Sequence, residues 1–261
     1  PVIILMDGFK KNKTENEEET KEQRKAMFIG GISCGILLFI ASTLQQYGIS
    51  YTTVGKAGFI TSLYTILVPI ISIIIGKKVR PVIWICVITG AIGLYLLCVP
   101  SVESFSFQIG DVLVFLCAII FAIHILVVDH FSPKTNGVKM SCIQFIVAGG
   151  IGIVMMFIFK NPNLKVITDN WFTIIYAGIF SCGIAYTLQI LGQKDADPTD
   201  ASLILSLESV FSVITGTIVL HEHMKNKEII GCIMILGAVL LSQLPTNITV
   251  LKRKKQDNNE I

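Results

Sequence analysis

Charged residues are scarce in this chain of 261 residues. They make up 15% of it, whereas 52% of the residues are hydrophobic, and the mean hydropathy is +0.71. A soluble globular protein carries about a quarter charged residues. The few charges cluster between long apolar runs, which is typical of a helical protein that crosses the bilayer several times. A transmembrane barrel would instead show short segments of alternating hydrophobicity.

Motifs that mark metalloenzymes and ATP-driven pumps are also missing. The sequence has no HExxH and no Walker A motif, and its seven cysteines form neither a CxxC nor a cluster with histidine. The spacing therefore predicts no metal, no cofactor and no disulfide framework, and nothing in it supports a nucleic-acid partner. The sequence patterns leave an intramembrane enzyme, a sensor and a channel open as functions of such a membrane protein.

Eight apolar runs have the length of bilayer-spanning helices, at 1.5 Å of rise per residue. They cover residues 27–47, 57–75, 84–99, 109–128, 140–159, 171–191, 201–220 and 228–244. Because the loops between them are short, successive runs should be antiparallel. The sequence thus predicts an all-α integral membrane protein with eight transmembrane helices in this chain.

Basic residues are unevenly divided between the two predicted faces of the membrane. Sixteen of the 21 Lys and Arg residues fall in the segments of one face, which include residues 10–25, 76–81 and the tail 245–261. An excess of basic loops marks the cytoplasmic face. We therefore expect a multi-pass protein of the cell (plasma) membrane, in contact with the lipid bilayer, with its C-terminus in the cytoplasm.

The chain resembles itself when it is shifted by 144 residues. The segment ASTLQQYG, residues 41–48, lies over AYTLQILG, residues 185–192, and further identities include Ala57 with Ala201 and Ser62 with Ser206. This predicts a first repeat in residues 1–99 and a second in residues 109–244. Since the second repeat holds five spans, an odd number, the two repeats should be inverted relative to each other in the membrane.

The first repeat is predicted to be incomplete. The residue corresponding to Ile109 would fall about 35 positions before Pro1, since the shift is 144. The first repeat then lacks its first helix and most of its second. We expect a chain truncated at its N-terminus from a protein of ten helices in a 5+5 arrangement, and the truncated chain itself could be an inactive fragment of a transporter.

Two stretches resemble the EamA family of the drug/metabolite transporter superfamily. They are LQQYGISYTTVGKAGFITSLYTILVPIISIIIGKK, residues 44–78, and SLESVFSVITGTIVLHE, residues 206–222. The second stretch departs from the family pattern at Ser209, where Pro is usual, and at His221, where Gly is usual before Glu222. The resemblance implies ten helices in two inverted halves around a central cavity. It also implies transport of small metabolites by alternating access, with amino acids or related compounds as exported solutes.

Glu208 is the strongest candidate for a functional residue, because no other carboxylate lies so far inside an apolar run. A carboxylate there is costly unless it is protonated, paired or facing water. Tyr64 occupies the corresponding position in the first repeat, so one repeat supplies a phenol and the other a carboxyl. We expect both residues to bind solute and Glu208 to carry a coupling proton; a neutral carboxyl bonded to a neighbouring helix is the alternative.

Gln45 and Gln189 form a second corresponding pair, near the ends of matching spans. Their amides could bind a polar solute, or could bond one helix to another. His124, inside the span 109–128, is a candidate for proton coupling, although a histidine satisfied by a backbone carbonyl or by interfacial water is the simpler interpretation. The oligomeric state stays open, a homodimer included.

Overall fold

The computed structural model describes residues 20–99, 108–159, 164–219 and 225–244, and within these ranges every regular element is helical. The α-helices described are α1 Lys21–Ile49, α2 Val54–Ser62, α3 Tyr64–Ile74, α4 Pro81–Cys98, α5 Ile109–Phe131, α6 Gly137–Phe159, α7 Leu164–Asp169, α8 Trp171–Tyr176, α9 Tyr186–Gln193, α10 Pro198–Leu205, α11 Leu207–Val219 and α12 Asn226–Ser242. A π-helical segment, Ala177–Ala185, joins α8 to α9. The all-α prediction is thus confirmed for the described residues.

Six helical stretches among the described residues are long and apolar enough to cross a membrane. They are Lys21–Ile49, Gly55–Ile74, Pro81–Cys98, Ile109–Lys134, Gly137–Phe159 and Trp171–Gln193. The predicted seventh span, 201–220, is divided between α10 and α11, and its last residue lies outside the described ranges. The predicted eighth span falls on α12, which has 17 residues. The count of eight spans therefore stays a prediction.

Two of the spans are interrupted at nearly corresponding positions. Helix α2 ends at Ser62 and α3 begins at Tyr64, whereas α10 ends at Leu205 and α11 begins at Leu207. Under the shift of 144 residues the two breaks coincide to within one residue. At both breaks the backbone stays in the α region, with φ −61° and ψ −12° at Leu63 and φ −63° and ψ −16° at Ser206, so each break is a one-residue distortion of a continuing span.

The break between α10 and α11 forms without a proline. The Ser206 hydroxyl donates a hydrogen bond to the Leu203 carbonyl of the preceding turn, at 2.6 Å. Such hydroxyls compete with the helical hydrogen-bond ladder and bend helices. Ser209, which stands where the family usually has proline, therefore does not prevent a break in this helix.

Helix α1 packs closely on α6 because glycines lie at the contact. A Cβ atom at Gly31 would stand 2.7 Å from the Ile143 side chain, and one at Gly35 would stand 2.7 Å from the Gln144 carbonyl oxygen. Small residues let membrane helices approach to backbone contact. Helix α1 also packs on α5, so it is held on two sides.

A second close crossing joins α4 to α12. A Cβ atom at Gly231 would lie only 2.6 Å from the Gly93 carbonyl oxygen, and one at Gly93 would lie 2.8 Å from the Gly231 carbonyl oxygen. The flanking side chains Leu94, Leu97 and Ile235 are buried in one cluster. This crossing fixes a helix of the first 99 residues against the last described helix.

The side chains in the first half of the stretch Trp171–Gln193 are not covered by other described helices. Neither α8 nor the π-helical segment contains a buried residue, and Phe172 and Phe180 are among the exposed aromatic side chains. The stretch becomes buried only in α9, where Thr187 and Ile190 contribute. Its predicted counterpart in the repeat, α1, is packed against two helices, so the two stretches correspond in sequence but not in packing.

All seven cysteines lie in described helices and are free. Cys34, Cys86, Cys117 and Cys232 are buried, while Cys182 is exposed on the π-helical segment. The buried cysteines fill space as small apolar residues do.

Candidate functional site

Glu208 stands directly after the break between α10 and α11, as the second residue of α11. Its side chain is exposed at the surface of the described chain, so the carboxyl is not enclosed by packed helices. The sequence places Glu208 in the middle of an apolar run; the structure places it at a helix break with open space beside it.

Tyr64 occupies the equivalent place on the other broken helix, as the first residue of α3. It is 8% exposed and packs with Val68, Ala122 and Ile125. Leu205, three residues before Glu208, packs against the same cluster, so the two helix breaks lie close together. The predicted pair thus occupies one region of the molecule, with the phenol buried and the carboxyl exposed.

Tyr186 is the residue that links this region to His124. It is the first residue of α9. Its ring stands edge-on to the His124 imidazole, with centroids 6.3 Å apart and planes at 89°. Tyr64 packs on Ala122 and Ile125, the neighbours of His124 in α5, so Tyr64, His124 and Tyr186 occupy one part of the molecule. Sequence reasoning missed Tyr186.

The sequence signal for Tyr186 is weak. It lies inside the repeated A-x-T-L-Q motif at the one position that differs, where the first repeat has Ser42. A comparison of repeats for their identities passes over such a position. A search for polar residues that differ between the repeats, such as Tyr64 and Glu208, would have found it.

His124 is held by a side chain and not by a backbone carbonyl. Its Nε2 atom lies 3.0 Å from the Gln144 Oε1 atom, and both residues are completely buried. Because an amide oxygen only accepts hydrogen bonds, Nε2 carries the proton and donates it. The His124 Nδ1 atom and the Gln144 Nε2 atom have no hydrogen-bond partner among the described residues. The pair is thus half satisfied and borders the region of Tyr186.

Gln45 and Gln189 are not equivalent in their contacts. The Gln45 Nε2 atom donates to the Thr61 hydroxyl at 3.2 Å, which ties α1 to the end of α2 one turn before Tyr64. Under the shift, Thr61 corresponds to Leu205, which cannot accept a hydrogen bond, so Gln189 has no such anchor there. Both glutamines are half-buried. Gln45 thus has a helix-bonding role, and solute binding by the pair stays a prediction.

The buried pair His124–Gln144 leads to a testable prediction. Gln144→Leu is expected to lower the free energy of unfolding by about 1–3 kcal/mol, because it leaves the buried His124 Nε2–H without an acceptor. The double variant with His124→Leu should be less destabilised than the sum of the two single variants, with a coupling of about 1 kcal/mol. Thermal unfolding of the four proteins in detergent measures this coupling; additive effects would contradict the hydrogen bond.

Residues 31–35, with the sequence GISCG, match the GxSxG pattern of serine hydrolases. That pattern works at a sharp turn between a strand and a helix. Here all five residues lie inside α1, with Gly31 and Gly35 against α6. The segment therefore has a packing role. Glu222 and its histidine neighbours lie outside the described residues.

Long apolar helices, two of them broken, with polar side chains grouped beside the breaks, define a multi-pass membrane protein of the transporter type. The chain belongs to the EamA-like transporter family, which it matches over residues 4–99 and 108–244. The resemblance seen in the sequence is thereby confirmed.

Two similar proteins agree with this assignment. An uncharacterized transporter of Archaeoglobus fulgidus is 32% identical over 224 residues, which cover 83% of this chain and 69% of that protein. A protein known from a crystal structure superposes with a TM-score of 0.72 at 16% identity, over 93% of this chain and 82% of its own. The first similarity supports a transporter and not an enzyme; the second concerns the fold alone.

Proposed function

We propose that the protein moves a small polar solute across the membrane by alternating access. The observation that carries this proposal is the placement of Tyr64 and Glu208 directly after two corresponding helix breaks. Broken helices supply backbone groups and side chains to solute sites near the middle of the bilayer. A phenol on one side and a carboxyl on the other suit a solute whose two ends differ.

The solute class that fits these groups is an amino acid or a related metabolite. The Glu208 carboxylate can accept hydrogen bonds from an ammonium group, whereas the phenols of Tyr64 and Tyr186 can donate to a carboxylate. Export is the proposed direction, and an ion or solute gradient supplies the energy, since no ATP-binding motif is present in the sequence. In this scheme Glu208 takes up and releases the coupling proton.

We further propose that the fold consists of two inverted repeats, residues 1–99 and 109–244, within a ten-helix 5+5 arrangement. The corresponding breaks support this, and so does the bare first half of the stretch Trp171–Gln193. Helix α1 is covered by α5 and α6. By symmetry, two further helices would cover that bare stretch. The proposed membrane is the cell membrane, with the C-terminus in the cytoplasm, as the distribution of Lys and Arg favours.

The test of this proposal is solute flux in proteoliposomes. The full-length protein is reconstituted, and uptake and efflux of amino acids and related metabolites are followed with and without a proton gradient. We expect flux of at least one zwitterionic solute above that of protein-free vesicles, and a response to the gradient. Absence of flux across a broad panel would contradict the transporter proposal.

A further inference from the structure

Three ion pairs among the described residues link the segment 1–99 to the segment 109–244: Lys56–Asp111 at one end of the molecule, and Arg80–Asp200 and Lys77–Asp129 at the other. Of these, Lys56–Asp111 and Arg80–Asp200 involve the first turns of α2 and α10. Lys56 Nζ lies 2.7 Å from Asp111 Oδ2, and Arg80 Nη2 lies 2.6 Å and 2.9 Å from the two oxygens of Asp200. Helix α5 runs from one end of the molecule to the other. Asp111 lies in its first turn, and Asp129, which pairs with Lys77, lies in its last turn. Eighteen residues separate these aspartates, or about 27 Å along a helix.

The two ion pairs are related by the repeat. Lys56 is the third residue of α2 and Asp200 is the third residue of α10, and the shift of 144 residues brings one onto the other. Each therefore begins a broken helix, and each pairs with a residue of the opposite segment. Lys56 is basic whereas Asp200 is acidic. Lys56 therefore pairs with an acidic residue, Asp111, and Asp200 with a basic one, Arg80.

The pair Lys56–Asp111 is the more enclosed of the two. The side chains are 6% and 2% exposed, and Asp111 also accepts from the Thr52 hydroxyl at 2.6 Å and from the Gln108 backbone N–H at 2.9 Å. A buried carboxylate with three donors is fully satisfied. Such a pair holds α2 on the start of α5.

The pair Arg80–Asp200 is more exposed than Lys56–Asp111, and it borders a pocket. The side chains are 30% and 15% exposed, and Arg80 also donates to the Ser242 carbonyl oxygen at 3.0 Å. A cavity of about 340 Å³ adjoins the pair and is lined by Ser72, Lys77, Lys78, Asp197 and Thr199 among others. Burial raises the pKa of the Asp200 carboxyl, and Arg80 opposes this effect.

Resting on the proposed transport function, we propose that these two ion pairs are the two gates of the solute path. Arg80–Asp200 closes the cytoplasmic end, and Lys56–Asp111 closes the outer end. Each acts by holding the first turn of a broken helix against the opposite repeat. Opening one end requires one pair to part while the other stays closed. Tyr64 and Glu208 lie between the gates. Tyr64 follows the break in the span that begins near Lys56, and Glu208 follows the break in the span that begins near Asp200.

Two matched reporter positions make this testable. Ala57 and Ala201 follow the gate residues Lys56 and Asp200 directly, correspond under the shift, and are 2% and 6% exposed. A cysteine at either position is hidden while its gate is closed. Labelling by a membrane-impermeant thiol reagent, applied to membrane vesicles of either orientation and read by mass spectrometry of the labelled peptide, reports each gate separately. The native cysteines serve as internal references.

Asp200→Asn is expected to raise the labelling rate of Ala201→Cys about tenfold and to leave Ala57→Cys unchanged, because it shifts one two-state equilibrium only. Thr52→Val, which removes one hydrogen bond but keeps both charges, should raise labelling of Ala57→Cys alone. Arg80→Asp combined with Asp200→Arg should return Ala201→Cys to its slow rate. This rescue separates a specific pair from general loosening of the fold.

Three outcomes would overturn the gates: equal increases at both reporters, no increase at either, or no rescue by the exchanged charges. None of these readings needs a solute. Selective labelling without flux in proteoliposomes would therefore remove the transport proposal and keep two independently opening ends. Flux with unselective labelling would keep the transporter and remove the gates.

Discussion

Proteoliposomes that contain Glu208→Gln are expected to show no proton-linked solute flux. The glutamine keeps the shape and hydrogen-bonding capacity of the carboxyl but cannot exchange a proton. Glu208 is the carboxyl that stands directly after the helix break between α10 and α11. We expect flux driven by a pH gradient to fall to the level of protein-free vesicles. Any exchange flux that remains should be independent of pH.

Glu228→Gln is the matched control for this variant. Glu228 is another glutamate of the same segment, but it caps the start of α12, where it accepts from the Lys225 backbone N–H at 2.9 Å. Its loss weakens a helix cap by about 1 kcal/mol and leaves the region of Tyr186 untouched. Wild-type flux and wild-type pH dependence are expected. If Glu208→Gln also behaves like the wild type, Glu208 is not the coupling residue.

The second large effect is expected at the crossing of α4 and α12. Gly231→Val puts a β-branched side chain where a Cβ atom would stand 2.6 Å from the Gly93 carbonyl oxygen and 3.0 Å from the Leu97 backbone nitrogen. Both neighbours are backbone atoms, so neither can move aside without shifting a helix. Overpacking of this kind costs about 1–3 kcal/mol or more, which corresponds to a fall in Tm of about 5–10 °C.

Gly237→Val provides the comparison on the same helix. No heavy atom lies within 4 Å of a Cβ atom at Gly237, so the side chain meets open space. The two variants share helix, residue type and change, and differ only in what the new methyl groups meet. Thermal unfolding in detergent should place Gly237→Val near the wild type and Gly231→Val well below it. Equal Tm values would show that the close crossing is not required for stability.

The class of protein could be predicted from the sequence because hydropathy acts locally. Twenty apolar residues are long enough for the bilayer whatever surrounds them, and six such stretches are helices among the described residues. The motifs around Leu44 and Ser206 predicted the family, which the match over most of the chain confirms. The helix breaks at Leu63 and Ser206 were not predicted, because one-residue distortions of a helix leave no mark in hydropathy.

The candidate site was predicted in part. Glu208 was singled out because it lies inside an apolar run, and Tyr64 because it corresponds to Glu208 under the shift. The structure packs Leu205, three residues before Glu208, against the Tyr64 cluster; solute binding by the pair stays a prediction. Tyr186 was missed because it is not repeated. The partner of His124 is a side chain 20 positions away, Gln144, where a backbone carbonyl or water had been expected. Contacts between distant residues leave no periodic trace in the sequence.

The sequence by itself determined the membrane class, the family and the residues that break the apolar pattern, because each of these depends on composition or spacing along one segment. Only the tertiary structure decided which residues meet: Tyr186 beside His124, Lys56 with Asp111, and Arg80 with Asp200. It also decided that Glu208 stands directly after a helix break. The reason is physical: helix formation is local, whereas the pairing of helices depends on side chains far apart in the chain that must fit and neutralise one another in three dimensions.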